Sequence, residues 1–485
     1  MGFYFSPRGG SAQVARYLCR ALHDGPWAPM LFTGSLGLPG EQGDAPTFFA
    51  GMRTRALDYS AARWVFAQGD DPMNVDVPMH ASFEDKEGVP DRIFFALDDL
   101  AYRRQVRSWV RLFESRGASA PEVIHLHHLT PMHEAARQVW PGVPIITHLH
   151  GTELKMLDLA REPATTSTAS QWTSQWIERI ERWARESARL VVVSPADAAT
   201  AQRLLPVDPS RIVTIASGVD TEVFAVGPTG TSANRLAAWK HWLIDDPQGW
   251  KPGDVAGSVR YDDRDMQVFD GDAGEVGEPV PVILFAGRFM KFKRLQLLIE
   301  AHHALRCAGG RRSVLIVAGG YPGEWEGEHP FDTVQRLGAE DVFFVGWRGH
   351  DVLSEMLRCS DVFAAPSVDE PFGLVYLEAM AAGVPPIATA TGGPLSFVNV
   401  EADQPTGWLV APDDVPALTD ALAEAVADWP GRRARGQRAA RFVRAEYSWT
   451  STAARFADLY REVIAERVGA LRPTGSGGKP RGVRT

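Results

Sequence analysis

Short apolar runs alternate with amphipathic segments along most of the chain. In the first half, apolar runs cover residues 122–126, 143–147, 190–194 and 212–215, and residues 12–22 are predicted to form a helix. Because these runs are largely continuous rather than alternating, both faces of each strand are expected to be buried. Strands of this kind, separated by helices, predict a parallel sheet that is covered on both faces.

The second half of the chain repeats this pattern. Its predicted strands cover residues 282–286, 313–318, 342–345, 362–365 and 386–388. The fold class is therefore α/β, with two Rossmann-like, doubly wound halves. Open sheets of this class bind ligands beyond the carboxyl ends of their strands, and binding residues are expected there.

The pattern also predicts the domain boundaries. An N-terminal domain is predicted over residues 1–224 and a C-terminal domain over residues 281–447. The segment 225–280 between them is rich in Gly, Pro and Asp and holds one predicted helix, residues 233–244. Two alternatives remain open for this acidic insertion: a lid or acceptor wall, or a solvated surface excursion.

Composition and charge exclude several classes of protein. A chain of 485 residues is long enough for two separate cores. Its formal net charge of -10 argues against general nucleic-acid binding and against docking on anionic lipid. The three cysteines form no C-x-x-C pair and are expected to be buried thiols in a reducing cytoplasm. No apolar run is long enough to predict stable insertion into a membrane. The sequence does not predict the oligomeric state.

The stretch 369–378 carries the strongest chemical signal. Glu370 and Glu378 lie eight positions apart across a Pro-Phe-Gly turn, with Glu370 after an apolar run and Glu378 within the predicted helix that follows. A strand, a tight turn and a helix start form an anion site, because free backbone N–H groups and the helix dipole point outward. A carboxylate beside such a site accepts hydrogen bonds from hydroxyls. Anion and polyol in one pocket suggest a nucleotide sugar.

A second motif follows the predicted strand 282–286. Arg288 lies just beyond it and Lys293 comes five residues later. A guanidinium and an ammonium group stabilise a diphosphate leaving group without a metal. The alternative is a surface helix whose cations extend into solvent. Because the acidic run 262–265 contains an arginine and lies in the insertion, no metal or other cofactor is expected.

Histidines cluster near the strand ends of the first half. His150 follows the strand 143–147 at a glycine turn, where a structural role is the alternative to a role in binding. The earlier histidines lack a nearby Cys, an H-E-x-x-H motif and an i, i+4 pair, so no metal site is predicted from them. They are His125, His127, His128 and His133.

The spacing of Glu370 and Glu378 resembles the E-x7-E motif of retaining glycosyltransferases of family 4, the group that includes glycogen synthase and sucrose synthase. Further matching elements follow in the family's order over most of residues 5–465. They are the Gly9-Gly10 loop and residues 125–128, 147–153, 217–220 and 287–293. Where the family usually has Asn before Gly-Val-Asp, this chain has Ser217.

The resemblance implies the GT-B fold, in which two Rossmann-like domains face each other across a cleft. It also implies retaining transfer of a sugar from an NDP-sugar, with UDP favoured, to an acceptor hydroxyl. The acceptor is expected to be a small molecule or secondary metabolite. An isomerase similar to NDP-sugar 2-epimerases and a non-catalytic nucleotide-sugar sensor are the alternatives on the same fold.

The resemblance further implies roles for individual residues. Glu378 would accept hydrogen bonds from the ribose, Glu370 would contact the transferred sugar, and Arg288 and Lys293 would bind the diphosphate. His150 would face the sugar. Other donor-binding candidates are Gly9, Gly10, Phe372, Gly373, Leu374 and Val375, and the acceptor-side candidates are His127, Thr152 and Glu153.

Two expectations concern the C-terminal part of the chain. By the same resemblance, a last helix over residues 448–468 would return to the first domain and complete it. Residues 472–485 are rich in Gly, Pro and Arg and are predicted to be disordered. The first strand is short before the glycine loop, which leaves open whether the N-terminus is complete.

Overall fold

The contacts within the chain divide it into two compact units. Unit 1 comprises Met1–Val192, Ala198–Ile215 and the residues from Ala453 onward, and unit 2 comprises Val193–Asp197 and Ala216–Thr452. The computed structural model describes residues 1–4, 10–41, 43–84, 88–115, 117, 119–161, 170–227, 232–270, 279–401 and 403–471. The predicted disordered tail, residues 472–485, lies outside these ranges.

Unit 1 is built on parallel strands. Gly2 bridges Phe32 on one side and Leu126 on the other, so the start of the chain joins a two-stranded and a four-stranded part. The sequence pattern did not predict the first two strands, because polar residues interrupt their apolar residues. The strands are β1 (Leu31–Ser35), β2 (Thr54–Asp58), β3 (Ile124–His127), β4 (Ile145–His148), β5 (Arg189–Val192) and β6 (Ile212–Thr214).

The helices of unit 1 bury one apolar face each, as their amphipathic sequences predict. In the seventh helix, Trp176, Ile180 and Trp183 are all fully buried. The helices are α1 (Gly10–His23), α2 (Ala45–Phe48), α3 (Ser60–Ala67), α4 (Asp99–Glu114), α5 (Met132–Val139), α6 (Thr152–Arg161), α7 (Thr173–Glu186) and α8 (Pro195–Leu204), the last of which begins in residues assigned to unit 2.

Unit 2 holds a six-stranded parallel sheet. Its strands are β7 (Val282–Gly287), β8 (Val314–Gly319), β9 (Val342–Gly346), β10 (Val362–Ala365), β11 (Pro386–Thr389) and β12 (Trp408–Val410). Their order in the sheet is β12-β11-β10-β7-β8-β9. From β7 the chain adds strands in one direction as far as β9, and from β10 it adds them in the other direction. The switch point lies between the neighbouring strands β7 and β10, and doubly wound sheets bind ligands at such a point.

Among the described residues, unit 2 holds the helices α9 (Ser232–Lys240), α10 (Leu295–Cys307), α11 (Pro330–Leu337), α12 (His350–Arg358), α13 (Leu374–Ala381), α14 (Val415–Ala427) and α15 (Trp429–Glu446). The last helix, α16 (Trp449–Leu471), begins in unit 2 and continues into unit 1. Within unit 1, the Tyr460 hydroxyl of α16 lies 2.6 Å from His125 Nδ1, and Arg189 pairs with Glu462 at 2.6 Å. None of the helices in the described ranges is long and apolar enough to cross a membrane.

The described part of the insertion packs against the edge strand β9. The Tyr261 hydroxyl accepts a hydrogen bond from the backbone N–H of Phe344 at 2.9 Å. Trp239, Trp242 and Trp250 are at most 4% exposed. This burial contradicts a purely solvated excursion. The alternative of a lid or acceptor wall stays a prediction.

Two expectations about particular positions differ from the structure. The division between units falls after Ile215 and after Thr452 rather than at 224 and 447, because Val219 bridges Ser448 and Phe224 is buried in the core of unit 2. Cys307, expected to be buried, is exposed at the end of α10, because it lies on the outer face of that helix.

Candidate functional site

The switch point of unit 2 brings together residues that are far apart in sequence. Arg288 directly follows β7, Lys293 ends the short 3-10 turn Lys291–Lys293, and Glu370 lies in the loop after β10. Because β7 and β10 are parallel neighbours, their carboxyl ends meet at one edge. The Lys293 ammonium group forms an ion pair with the Glu370 carboxylate, and these side chains are only 14% and 10% exposed.

The backbone around Glu370 is held tightly. Its carbonyl oxygen accepts a hydrogen bond from the N–H of Gly393 at 2.8 Å. A Cβ added to Gly392, which has a φ of 64°, would clash with that same carbonyl oxygen. The N–H of Val368 donates to the carbonyl of Phe292 at 2.8 Å and joins the two loops. The Lys293–Glu370 pair is therefore built on a rigid frame.

The start of α13 lies where the sequence predicts an anion site. Gly373 caps the helix with a φ of 92°, which favours glycine, and the first N–H groups of a helix lack partners within it. Leu374 and Val375 form the first turn. The ring of Phe372 packs 5.6 Å from that of Phe397, so its side chain belongs to the core and only its backbone is placed for a ligand.

Glu378 lies on α13 and is 6% exposed. His350 Nε2, at the first residue of α12, lies 3.8 Å from Glu378 Oε1. Burial raises the pKa of the Glu378 carboxyl group, and the nearby His350 opposes this shift. His350 is not among the residues predicted from the sequence, although its position just beyond the predicted strand 342–345 was an available signal.

In unit 1, histidines collect at the carboxyl ends of β3 and β4. His127 and His148 are register partners on the two strands. His150, two residues beyond β4, has its Nε2 2.9 Å from His127 Nδ1. Burial and neighbouring imidazoles lower the pKa of His127 and His150 well below the usual range, so both rings are neutral at physiological pH.

Glu153 was expected on the acceptor side, but its side chain is fully buried. Its carboxylate lies 3.2 Å from His128 Nδ1 and accepts hydrogen bonds from the N–H of His150 at 3.3 Å and the hydroxyl of Thr152 at 3.3 Å. Because these partners occupy the carboxylate, Glu153 positions the His150 turn rather than contacting an acceptor. Thr152, the first residue of α6, is partly buried beside it.

Gly9, Gly10 and His133 add little to the geometry of the site. Gly9 lies outside the described residues, and Gly10 is the exposed first residue of α1. His133 is a structural histidine, because its two ring nitrogens lie within 3.0 Å of the Thr130 carbonyl and the Thr147 hydroxyl. The donor-side candidates between Arg288 and Glu378 thus share unit 2, whereas Gly10, the histidines, Thr152 and Glu153 belong to unit 1.

Two families match the chain in succession. The family described as Glycosyltransferase Family 4 matches residues 8–223, and that described as Glycosyl transferases group 1 matches residues 272–442. Similar curated proteins include a D-inositol 3-phosphate glycosyltransferase of Saccharomonospora viridis, 30% identical over 68% of this chain and 67% of that protein. One of the same name from Stackebrandtia nassauensis is 31% identical over 71% of this chain and 69% of that protein.

Solved structures show the same fold. Sucrose-phosphate synthase from Thermosynechococcus elongatus has a TM-score of 0.63 at 20% identity, covering 96% of this chain and 99% of that one. Anabaena HepE, in complex with UDP and glucose, has a TM-score of 0.60 at 16% identity, covering 95% and 98%. These likenesses confirm the predicted GT-B class of fold.

Proposed function

Since the chain belongs to the glycosyltransferases described as Glycosyltransferase Family 4 and group 1, we propose that it is a retaining enzyme that uses a UDP-sugar. The observation that carries the proposal is the Lys293–Glu370 ion pair beside the start of α13, at the switch point of unit 2. A cation and a helix N-terminus, which suit a diphosphate, then lie beside a carboxylate, which suits sugar hydroxyls. A nucleotide sugar presents both kinds of group.

The diphosphate is the group that needs stabilisation. As the glycosidic bond breaks, negative charge grows on the leaving UDP, and Lys293, Arg288 and the amides of the first turn of α13 bind it without a metal. Groups that are fixed before the reaction stabilise such charge without reorganising. Glu378 accepts hydrogen bonds from the ribose hydroxyls as a carboxylate.

The transferred sugar would be held by Glu370, which accepts hydrogen bonds from its hydroxyls. We assign His150 the sugar-facing role that the family resemblance implies, with a neutral imidazole that is oriented by His127. The acceptor hydroxyl attacks the anomeric carbon from the face that the leaving group occupies. The bond from the anomeric carbon to the UDP phosphate breaks, an oxygen of that phosphate takes the proton of the acceptor hydroxyl, and the attack on the same face retains the configuration.

For the acceptor, we propose a small cyclic polyol or polyol phosphate, which includes secondary metabolites of that chemistry. Relatives about 30% identical carry the name D-inositol 3-phosphate glycosyltransferase, which supports this class. The HepE structure holds UDP and glucose, which supports UDP as the nucleotide. We also propose that the chain belongs to the subgroup of family 4 that includes glycogen synthase and sucrose synthase. The E-x7-E spacing supports this.

The first experiment is calorimetric titration of UDP-, GDP-, ADP- and dTDP-sugars with EDTA present. We expect one UDP-sugar to bind tightly without metal, and NMR of the product formed with inositol phosphates to show retained anomeric configuration. Binding without transfer to any polyol would favour a sensor, and release of an epimerised sugar would favour an isomerase. No binding across the panel would overturn the donor site.

Variants test the residues of the donor site. Lys293→Ala is expected to keep the fold and to lower kcat about 10²–10³-fold, the usual cost of removing one preorganised transition-state contact. Glu378→Ala is expected to keep the fold and to raise KM for the UDP-sugar, because the ribose contact is lost in the ground state and the transition state alike. Lys291→Ala is the matched control, because Lys291 is exposed in the same turn. Near wild-type turnover in Lys293→Ala, or an equal loss in the control, would contradict the site.

A further inference from the structure

Three histidines of unit 1 form a buried cluster. His125 and His127 project from the same face of β3, since alternate residues of a strand share a face, and His148 is the partner of His127 on β4. Their exposed fractions are 3%, 0% and 0%. One ring nitrogen from each of the three lies within 4.8 Å of the other two.

The ring nitrogens of this trio divide into two kinds. His125 Nδ1 lies 2.6 Å from the Tyr460 hydroxyl, and His127 Nδ1 lies 2.9 Å from His150 Nε2. By contrast, Nε2 of His125, Nε2 of His127 and both nitrogens of His148 have no hydrogen-bond partner among the described residues. Leaving such buried polar atoms unpaired destabilises the folded protein, so a ligand that binds them is favoured.

This arrangement matches that of metal-binding histidines. In such sites, one ring nitrogen contacts the metal while the other is held by an outer hydrogen bond that orients the ring. Tyr460 and His150 are placed to supply that outer contact for His125 and His127. His148 has both nitrogens available for the ligand.

The protonation state also suits a metal. Burial lowers the pKa of all three imidazoles, that of His148 to about 3, and neighbouring imidazoles lower it further, His128 among them in the case of His148. Neutral imidazole is the ligating form, and it prefers zinc, copper, cobalt or nickel over magnesium or calcium. The ring of Phe456 covers His125 and His148 at 5.1 and 5.2 Å, which keeps the site dry.

We propose that His125, His127 and His148 bind one transition-metal cation of the zinc class. Tetrahedral zinc with Zn–N bonds of about 2.0–2.1 Å separates its ligand nitrogens by about 3.4 Å, so the trio closes on the ion by small ring movements. The metal fixes the carboxyl ends of β3 and β4 and holds His127, which in turn contacts His150. It lies in unit 1 and takes no part in binding the donor diphosphate.

The test uses Co²⁺, whose visible absorption reports tetrahedral coordination. The full chain, stripped with a chelator, is titrated with CoCl₂ and then with ZnSO₄ as competitor. We expect one equivalent of Co²⁺ to bind with a tetrahedral spectrum and to be displaced by Zn²⁺. His148→Gln is expected to weaken binding at least about 100-fold, beyond the usual effect of outer contacts.

His302→Gln is the matched control, because His302 is also buried but bonds Ser313 at 3.1 Å in unit 2. It should bind Co²⁺ as the wild type does. No Co²⁺ binding by folded wild-type protein, or equal binding by His148→Gln, would overturn the proposal. If His148→Gln does not fold, X-ray absorption of the Co²⁺-loaded wild type decides, since fewer than three imidazole ligands would also overturn it.

The proposal is independent of the donor site. Its readouts are absorption and ligand number, whereas the proposed function is tested by nucleotide binding and transfer with EDTA present. A failed metal titration with normal UDP-sugar binding would leave the function standing. The reverse result would leave the metal site standing.

Discussion

At the scale of single residues, Glu378 meets two opposing demands. Its burial on α13 raises the pKa of the carboxyl group and disfavours the charged form. The proposed contact with ribose hydroxyls requires that charged form as a hydrogen-bond acceptor. The ligand-free protein therefore carries a group that lowers its stability at neutral pH, a common cost of a binding site.

This conflict predicts a pH-dependent effect of Glu378→Gln. A raised pKa in the folded state means that the contribution of Glu378 to stability is fully present below its unfolded pKa. It is lost as pH rises through the folded pKa. We therefore expect Glu378→Gln to change Tm little in acid, to raise it as pH climbs from the unfolded pKa to the folded pKa, and to keep that gain constant at higher pH. UDP affinity should fall about 10–100-fold, since a hydrogen bond to a charged group is lost.

Thermal melts and UDP titrations across pH check this prediction. In the wild type, UDP affinity should decline as pH falls toward the raised pKa of Glu378, and the variant should lack that decline. Glu355→Gln is the control, because Glu355 is exposed on α12. A variant that melts below the wild type at alkaline pH would contradict the linkage.

Gly392 allows a separate test of the frame around Glu370. Both Gly392 and Gly323 have a positive φ, but only at Gly392 would a Cβ meet other atoms, namely the backbone of Glu370. We expect Gly323→Ala to cost about 1–3 kcal/mol from backbone strain. Gly392→Ala should cost more and also weaken UDP binding, because the Glu370 loop must shift.

Urea unfolding and UDP titration of the two variants measure this difference. An intact UDP affinity in Gly392→Ala would show that the loop tolerates the shift and that the frame is not rigid. Equal destabilisation by both substitutions would assign the whole effect to φ.

At the scale of elements, the insertion covers an open edge of the sheet in unit 2. Strand β9 lies at the end of the sheet order, where unpaired backbone groups invite pairing with other chains. Tyr261 accepts a hydrogen bond from one of those groups, and Trp250 packs 5.7 Å from both Phe289 and Trp325. The insertion is thus part of the core of unit 2 as well as a candidate wall.

Trp250→Ala should therefore destabilise unit 2. The ring is 2% exposed, and truncating a buried tryptophan typically costs about 3–5 kcal/mol. Val255→Ala, in the same segment but 75% exposed, should have almost no effect. Chemical denaturation of both variants measures the difference, and a loss below about 1 kcal/mol for Trp250→Ala would mean that the segment only rests on the surface.

At the scale of the whole molecule, each unit carries its own sheet, core and candidate site. The donor-side residues belong to unit 2 and the histidine cluster to unit 1. Phe456, on the last helix, is 1% exposed and packs on His125 and His148 within unit 1. A segment at the end of the chain therefore supports strands near its beginning.

Hydrogen exchange should resolve the two units separately. UDP is expected to slow amide exchange in residues 287–294 and 370–378 of unit 2. Phe456→Ala is expected to speed exchange in β3 and β4 while leaving β7 unchanged, because stability is local. Protection by UDP that is confined to unit 1, or faster exchange of β7 in the variant, would contradict this division.

The sequence alone determined most of the buried strands, a few of the helices, and which residues are chemically suited to a nucleotide sugar. Continuous apolar runs such as 282–286 and 362–365 predicted buried parallel strands, because burial on both faces leaves a local pattern. The polar edge strand β2 and the three-residue β12 escaped prediction, since an edge strand needs no such pattern. The spacing of Glu370 and Glu378 could be recognised in the sequence because both residues lie within one turn and the helix that follows it.

Only the tertiary structure decided which distant residues meet. The ion pair of Lys293 with Glu370 spans 77 positions and depends on β7 lying beside β10. The histidine trio depends on the register of β3 with β4, which turned an expectation of no metal into a candidate site. Local sequence sets backbone preference and burial, whereas strand order and register are set by the packing of the entire sheet, and the sites lie where that packing brings strand ends together.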